Sequence, residues 1–145
     1  MTAIQSHMSN EHRHCDDLFA AAENAASAGD WSTAIPAWEG FCRELENHLQ
    51  REEQFLFPAF EAKTGNTHGP TAVMRQEHSQ MRALLQQMTA AASSQDDEAF
   101  LGGADTLQIL ISQHNMKEEQ VLYPMTDQLL SDPQQLVDKM RSTIA

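Results

Sequence analysis

Histidine and glutamate recur in this 145-residue chain at a spacing that could hold metal ions. Residues 48–58 read HLQREEQFLFP and residues 114–124 read HNMKEEQVLYP, so both contain H-x-x-x-E-E-Q. Side chains four residues apart lie one turn apart on the same face of an α-helix, where a histidine and a glutamate can reach a common centre. A further histidine, His12 or His78, precedes the histidine of each segment at the same distance.

These blocks belong to an internal repeat, which appears when the chain is aligned with itself. Residues 11–19, EHRHCDDLF, align with residues 77–85, EHSQMRALL, at the same offset that aligns the two longer segments. The longer segments share His, both Glu, Gln, Leu and Pro, whereas the sequence between the blocks matches poorly. The repeat is therefore retained around the histidines and carboxylates.

Each half is predicted to form a helical hairpin that carries its two histidines at the same height. The first helix is expected to begin at Ser9 or Asn10, which are good N-cap residues, and to break at Gly29. The second helix is expected to begin near Trp31 and to run past its ligand histidine. The second half repeats this arrangement, with its turn within residues 93–97.

The two halves, about residues 9–64 and 70–130, are predicted to make a single domain over residues 1–145, with Gly65 between them. Pro58 and Pro124 are expected to kink or end their helices just beyond the histidine-glutamate segments.

A short extra helix is predicted over residues 133–144, because Ser131-Asp132-Pro133 resembles an N-cap followed by proline at the first helical position. Alanine, leucine, glutamine and glutamate are abundant and glycine is sparse, which also favours an all-α fold.

The helical phase places the histidines and two of the glutamates on the inward face of a bundle. Apolar residues recur at alternating steps of three and four, which is the core pattern of a left-handed helical bundle. The predicted core-facing stripes are Met8, His12, Cys15, Phe19, Ala22 and Ala26; Phe41, Leu45, His48, Glu52, Phe55 and Ala59; Met74, His78, Met81, Leu85 and Met88; and Leu107, Ile111, His114, Glu118, Val121 and Met125.

Ionised carboxylates on such a stripe would be costly to bury unless a cation balanced them. We therefore predict a metal site built by His12, His48, Glu52, His78, His114 and Glu118. The two-fold character of the repeat favours two ions, each held by two histidines, with Glu52 and Glu118 bridging. Nitrogen and oxygen donors without thiolate suit iron or manganese and also permit zinc, and bundle interiors are known to hold paired metal ions.

Other polar residues near these motifs have less specific interpretations. His14 is rotated by roughly 200° from His12 along an α-helix and should face away from the site. His7 and His68 are expected in solvated terminal or loop segments. Glu11 and Glu77 lie off the stripe, either as helix-start charges or as residues that support the ligands.

The remaining candidates lie beside the predicted ligands in sequence. Glu53 and Glu119 are expected at the surface or behind the ligands. Tyr123, which replaces Phe57, is expected to be a packed aromatic, the alternative being a redox or hydrogen-bonding group at the site. The two cysteines, Cys15 and Cys42, are expected to be free buried thiols.

Charge and hydropathy exclude several classes of function. The net charge of −12 and the pI of 4.8 argue against nucleic acid or an anionic membrane as a partner. No apolar run is long enough to span a bilayer, and the N-terminal MTAIQSHMSNEHRH lacks the apolar stretch of a signal peptide. We expect a cytoplasmic protein.

The histidines, the glutamates, their spacing and the repeat together resemble the hemerythrin-like family, the HHE cation-binding domains, over roughly residues 10–130. The resemblance implies an up-down-up-down antiparallel four-helix bundle with a non-haem, oxo- or hydroxo-bridged di-iron centre. It also implies ligand roles for His12, His48, Glu52, His78, His114 and Glu118. The activities known in the family include reversible O2 binding, oxygen or iron sensing, and peroxide or nitric oxide chemistry.

One position departs from the O2-carrying members of that family, which place a further histidine one turn before the ligand of the third helix. Met74 stands there in this chain. We expect two nearly equivalent, more open irons, which favours turnover over O2 storage. The carriers also place their last carboxylate at the position of Glu119, but Glu118 lies on the stripe and is preferred here.

Three functions remain open at this point. The first is a di-iron protein that binds, senses or processes O2 or its reduced products, with a redox or signalling protein as its partner. The second is a di-iron redox enzyme acting on peroxide or nitric oxide, and the third is an iron storage or delivery module. Trp31 and Trp38 are expected either to pack on the first helix or to form a patch for a homodimer.

Overall fold

The computed structural model describes residues 2–142, which fold into seven α-helices and two π-helical turns. The α-helices are α1 (Ala3–Ser27), α2 (Trp31–Arg51), α3 (Phe57–Thr64), α4 (Pro70–Ser93), α5 (Asp97–Lys117), α6 (Tyr123–Leu129) and α7 (Pro133–Arg141). The π-helical turns, Glu52–Leu56 and Glu118–Leu122, join α2 to α3 and α5 to α6 without a break.

The helices form the predicted four-helix bundle with a short extra helix. α1 packs against α2, and α4 packs against α5, so each half of the repeat is an antiparallel hairpin. The hairpins pack together through α1 with α5 and α2 with α4, while α7 lies against α1 at one end. The predicted helix over residues 133–144 is observed to Arg141, and residues 143 and 144 lie outside the described residues.

The hairpin turns lie where the sequence predicts them. Gly29 adopts a left-handed φ of 74°, and the Asp30 side chain then accepts a hydrogen bond from the backbone N–H of Thr33. In the second half Gln95 adopts a φ of 53°, and Asp96 caps α5 in the same way. Gly65, at a φ of 68°, ends α3 between the halves.

The first helix begins earlier than predicted, at Ala3 rather than at Ser9 or Asn10. A residue of α6 caps the start of α1. The Asp127 carboxylate accepts hydrogen bonds from the backbone N–H groups of Ile4 at 2.9 Å and Gln5 at 3.0 Å. Sequence-local capping could not reveal a cap that comes from a residue so distant in the chain. His7 consequently lies within α1 and not in a terminal segment.

At the two proline segments the helices do not end, which was one of the two predicted outcomes, because a π-helical turn leads directly into a further α-helix. The N–H of Phe57 bonds to the carbonyl of Glu52, and the N–H of Tyr123 bonds to that of Glu118, five residues back in each case. Each π-helical turn accommodates one extra residue. The proline that follows stands in the first turn of the next α-helix, where a missing N–H is tolerated.

These π-helical turns advance the inward face of both helices by one residue. Leu56, Phe57 and Phe60 are buried in the first half, and Leu122 and Tyr123 in the second. The predicted stripe was wrong beyond the glutamates: Val121 is 49% exposed and Met125 is 40% exposed, while Phe55 and Ala59 are only partly buried.

Two apolar clusters fill the bundle, one at each end of the histidine layer. The cluster near the hairpin turns contains Trp31 and Trp38, which pack against the ring of Phe100 at centroid distances of 5.5 Å and 5.1 Å. Both tryptophans therefore belong to the core and not to a surface patch. The second cluster combines the ends of α1, α3 and α6 with α7, including Phe57, Tyr123 and Met140.

Candidate metal centre

The structure brings the six predicted ligands together between the two apolar clusters. They come from α1, α2, α4 and α5 and from the first residue of each π-helical turn. None is more than 4% exposed. The residues are His12, His48, Glu52, His78, His114 and Glu118.

Two overlapping groups of these residues lie close enough together to hold a metal ion each. His12, His48 and Glu118 form one group, in which one ligand atom from each residue lies within 4.8 Å of the others. Glu52, His78, His114 and Glu118 form the second group at the same limit. The histidines pair by repeat half, and Glu118 belongs to both groups and could hold both ions, whereas Glu52, the other predicted bridge, belongs to the second group alone.

The ring nitrogens of His12 and His48 are arranged to bind a cation. The Nδ1 atom of His12 lies 2.6 Å from Glu119, and that of His48 lies 2.8 Å from Glu11. An imidazole that donates its Nδ1–H to a carboxylate presents a lone pair at Nε2. The two Nε2 atoms are 3.1 Å apart, about the separation of neighbouring ligands with metal bonds of about 2.1 Å.

Unpartnered buried atoms support the same interpretation in the second group. His114 Nε2 and Glu118 Oε2 are buried and lack a hydrogen-bond partner among residues 2–142. They lie 3.2 Å apart, but without hydrogen-bond geometry. Native interiors rarely leave such groups unsatisfied, and a shared cation would satisfy both.

Each of the four histidines is oriented by a carboxylate on a neighbouring helix. Within each half, Glu11 bonds to His48 and Glu77 bonds to His114, both at 2.8 Å. Between the halves, the second glutamate of each E-E pair bonds to the lone histidine. These contacts join Glu53 to His78 at 2.7 Å and Glu119 to His12 at 2.6 Å.

The outer carboxylates fix which ring nitrogen faces the centre, as such partners do in many metal sites. The sequence identified all four glutamates but left their roles open. Their recurrence at equivalent positions of the two repeat halves was the signal for this arrangement.

Cations hold three of the four outer carboxylates in place. Arg51 bonds to Glu11 at 3.1 Å, Arg82 bonds to Glu53 at 2.8 Å, and Lys117 bonds to Glu77. Burial opposes ionisation of these three carboxyls, yet the hydrogen bonds from the histidines and cations lower their pKa values. The fourth outer carboxylate, Glu119, is the most exposed of the set, with 37% of its side chain accessible.

The central carboxylates create a site that attracts positive charge. Burial and the charge of Glu118 raise the pKa of Glu52, whereas His114 and several hydrogen bonds, acting against burial, lower the pKa of Glu118. Burial also disfavours the charged histidines. Even so, Glu118 raises the pKa values of His12 and His114 to about 9. Metal binding would displace these protons.

Tyr123 reaches the centre as a hydrogen-bonding group, which was the alternative in the sequence analysis to the expected packed aromatic. Its hydroxyl lies 2.7 Å from Glu52 Oε2, 2.9 Å from Glu118 Oε1 and 3.1 Å from His12 Nε2. Burial and the two carboxylates raise its pKa well above the usual range. The π-helical turn before Tyr123 points its ring inward, so the plain helical phase missed it.

The other candidates lie outside the centre. His14 and His68 are exposed, as predicted. Met74 is buried in the second apolar cluster, so no nitrogen ligand occupies its position. Cys15 and Cys42 are free thiols, and burial raises the pKa of Cys15 to about 12, which disfavours a thiolate ligand.

The fold and the site define a helical-bundle protein with a buried histidine–carboxylate cluster that could hold metal ions. The family model of the hemerythrin HHE cation binding domain matches residues 3–126. The chain therefore belongs to the hemerythrin HHE cation-binding family and is a metal-binding protein.

An uncharacterised hemerythrin-like protein of Schizosaccharomyces pombe is 28% identical over 137 residues, which cover 94% of this chain. The match spans 65% of that relative's length, so the relative is a longer protein. No solved structure matches the chain. Within residues 2–142, no helix combines the length and apolarity needed to cross a membrane.

Proposed function

We propose that the chain binds two iron ions and uses them to bind, sense or process O2 or its reduced products. The single observation that carries this proposal is the pair of overlapping ligand groups joined at Glu118. Four imidazole nitrogens and two carboxylates, arranged with two-fold character, are more donors than one ion needs. Nitrogen and oxygen ligands of this kind suit iron, which would supply the electrons exchanged with oxygen species.

An enclosed cavity beside the centre supports a small-molecule ligand. It offers about 10 Å³, close to the smallest volume that holds one water molecule. Three histidines and several apolar side chains line it, and its small volume suits O2, peroxide or nitric oxide better than an organic substrate. The histidines are His12, His48 and His114, and the apolar side chains include Phe41, Leu45 and Ile111.

An open surface groove between α1 and α5 shares two lining residues with this cavity. Asp16 and Asn115 border the cavity and also line an open groove of about 330 Å³, together with Glu119. A small molecule that enters the groove needs only to pass between these two side chains. We infer that a small molecule reaches the His12 side of the centre between Asp16 and Asn115.

A redox enzyme acting on peroxide or nitric oxide is the second candidate. Met74 favours it, because an apolar side chain stands where a third histidine would complete the ligands of one ion. Fewer protein ligands leave positions on the metal for a reactant.

Metal analysis of the full chain after anaerobic loading with Fe(II) tests the proposal, with absorption spectra recorded before and after admission of air. We expect about two iron ions per chain and a spectrum that responds to O2 or peroxide. Iron content well below two ions would contradict the di-iron centre.

Turnover of hydrogen peroxide by the loaded protein separates the enzyme from a sensor or binding protein. An O2-dependent band that disappears on deoxygenation would favour reversible binding. If two iron ions bind but neither O2, peroxide nor nitric oxide changes the spectrum, the oxygen-related function is wrong, and storage or delivery becomes the better interpretation.

A further inference from the structure

The two halves of the repeat place different aromatic residues against the metal centre. The ring of Tyr123 lies 5.6 Å from that of His12 at an interplanar angle of 33°. The ring of Phe57, its counterpart in the first half, lies 5.4 Å from that of His78 at 32°. Since the two rings have nearly the same placement, the halves differ at this point by a single buried oxygen atom.

We propose that the Tyr123 phenol oxygen is a seventh protein ligand, bound to the iron that His12 and His48 hold. This inference rests on the proposed di-iron function. The ligand is specific to one half of the repeat, so the two iron positions are chemically different. Coordination replaces the phenol O–H bond with an O–Fe bond, and the proton passes to solvent.

The hydroxyl of Tyr123 makes three close contacts, and the protons on Glu52 and His12 that could serve them as hydrogen bonds are lost when a metal binds. A phenol has one hydrogen, yet its oxygen lies within 3.1 Å of Glu52, Glu118 and His12. Both carboxylates are acceptors when ionised, and His12 presents a lone pair when its Nδ1 donates to Glu119. At least two of the three contacts then join two electron-rich atoms, which a cation between them would stabilise.

The distances around this oxygen fit ligands that share one ion. Tyr123 Oη, Glu118 Oε1 and His12 Nε2 form a triangle with sides of 2.9 Å, 3.1 Å and 3.1 Å. The Nε2 atom of His48 is a further 3.1 Å from that of His12. Adjacent ligands at right angles with metal bonds of about 2.1 Å are about 3.0 Å apart, so the triangle corresponds to one face of a coordination shell.

Spectroscopy of the ferric protein tests the assignment, because Tyr123 is the single tyrosine of the chain. Phenolate bound to Fe(III) gives a visible charge-transfer band and enhanced phenolate modes in resonance Raman spectra. We expect both in the iron-loaded, oxidised wild type and neither in Tyr123→Phe, which keeps the ring and the fold. Iron content and far-ultraviolet circular dichroism are recorded for both proteins.

The matched control adds a hydroxyl to the other half. Phe57→Tyr places a phenol against His78 in the position that Tyr123 occupies against His12, and the band should remain and gain intensity. The double variant Phe57→Tyr with Tyr123→Phe asks whether the mirrored position alone can produce the band.

The outcomes separate this inference from the function on which it rests. Two iron ions in the wild type without phenolate modes, or a band that survives in Tyr123→Phe, would overturn the ligand assignment and leave the di-iron proposal intact. Failure of the wild type to bind iron would overturn both.

Discussion

The two halves of the repeat share a metal-binding skeleton but differ in what surrounds it. On the His78 side, Arg82 bonds to both Glu46 and Glu53, and Glu53 holds the histidine. The equivalent of Arg82 in the first half is Asp16.

On the His12 side, Asp16 therefore stands near Glu119 without the equivalent cation. Burial and the charge of Glu119 raise the Asp16 pKa, while His12 lowers it. The same side carries Tyr123, the most exposed outer carboxylate, and the cavity that meets the surface groove. The duplicated residues thus form the candidate metal centre, whereas the residues that differ lead us to expect that a small molecule enters on the His12 side and not on the His78 side.

Removal of one repeated ligand histidine should have the largest effect and shows whether the halves bind equally. His114→Ala is expected to lower the iron content from two ions to about one and to reduce the unfolding free energy of the loaded protein by more than about 2 kcal/mol. His48→Ala should lose less iron, because Tyr123 remains as a ligand on its side. Metal analysis and urea unfolding of the loaded proteins measure both effects.

His14→Ala is the matched control for these variants, since His14 is an exposed histidine on α1. It should retain both ions and the wild-type stability. Retention of two ions by His114→Ala would show that the ligand list is wrong, and an equal loss in both halves would remove the predicted difference between them.

One substitution should make the surroundings of His12 resemble those of His78. Asp16→Arg should form an ion pair with Glu119, as Arg82 does with Glu53, and cover the groove. An exposed pair of this kind contributes about 1 kcal/mol at most. If O2 enters only when the pair is open, this cost should slow oxidation of the reduced iron about fivefold. Stopped-flow absorption measures this rate.

Asp17→Arg is the control, because it makes the same change of charge at an adjacent exposed position outside the cavity and groove linings. It should oxidise at the wild-type rate. Equal slowing in both variants would assign the effect to overall charge, and unchanged oxidation in Asp16→Arg would argue against entry between α1 and α5.

The sequence predicted which histidines and glutamates meet in the buried cluster, because duplication and helical phase agreed at each of them. His48 and Glu52, like His114 and Glu118, are one turn apart before the π-helical turn begins, so regular α-helical spacing holds up to the glutamates. The phase fails immediately afterwards, because no residue type marks a π-helical turn. The turn shows in the sequence only as a shift of the apolar residues by one position. A regular helix would bury residues three and seven positions after Glu52, whereas the buried Leu56 and Phe60 stand four and eight positions after it.

The inward position of Tyr123 depends on that shift, and therefore the helical phase alone did not predict it. The cap on α1 was missed for a different reason. Asp127 lies 123 residues from Ile4, and a contact of that separation arises from the fold and not from local sequence.

The starts of α1 and α4 also differ between the two halves, and we expect this difference to have a smaller effect on the unfolding free energy. Asp127 accepts two backbone hydrogen bonds at the start of α1, while its repeat counterpart Glu61 bonds to the side chains of Thr71 at 2.6 Å and Arg75 at 3.2 Å on α4. Asp127→Ala should lower the unfolding free energy by about 1–3 kcal/mol. Glu61→Ala should cost about 1 kcal/mol or less, because Arg75 is partly exposed.

Urea unfolding of the metal-free variants, at matched pH and salt, measures both losses. Asn10→Ala on the exposed face of α1 serves as the reference for a substitution within a helix. Equal losses in Asp127→Ala and Glu61→Ala would mean that the distant cap contributes no more than a side-chain pair.

The smallest expected effect is that of Val121→Ser in the π-helical turn of the second half, and Leu122→Ala is its buried comparison. Val121 would face the core if α5 continued as a regular α-helix, but the turn exposes it. Val121→Ser should therefore change the unfolding free energy by no more than about 0.5 kcal/mol, whereas Leu122→Ala should cost about 2–5 kcal/mol. The reverse order in urea unfolding would place Val121 inside, and Tyr123 would then turn away from His12, so this pair of variants also tests the geometry on which the difference between the halves depends.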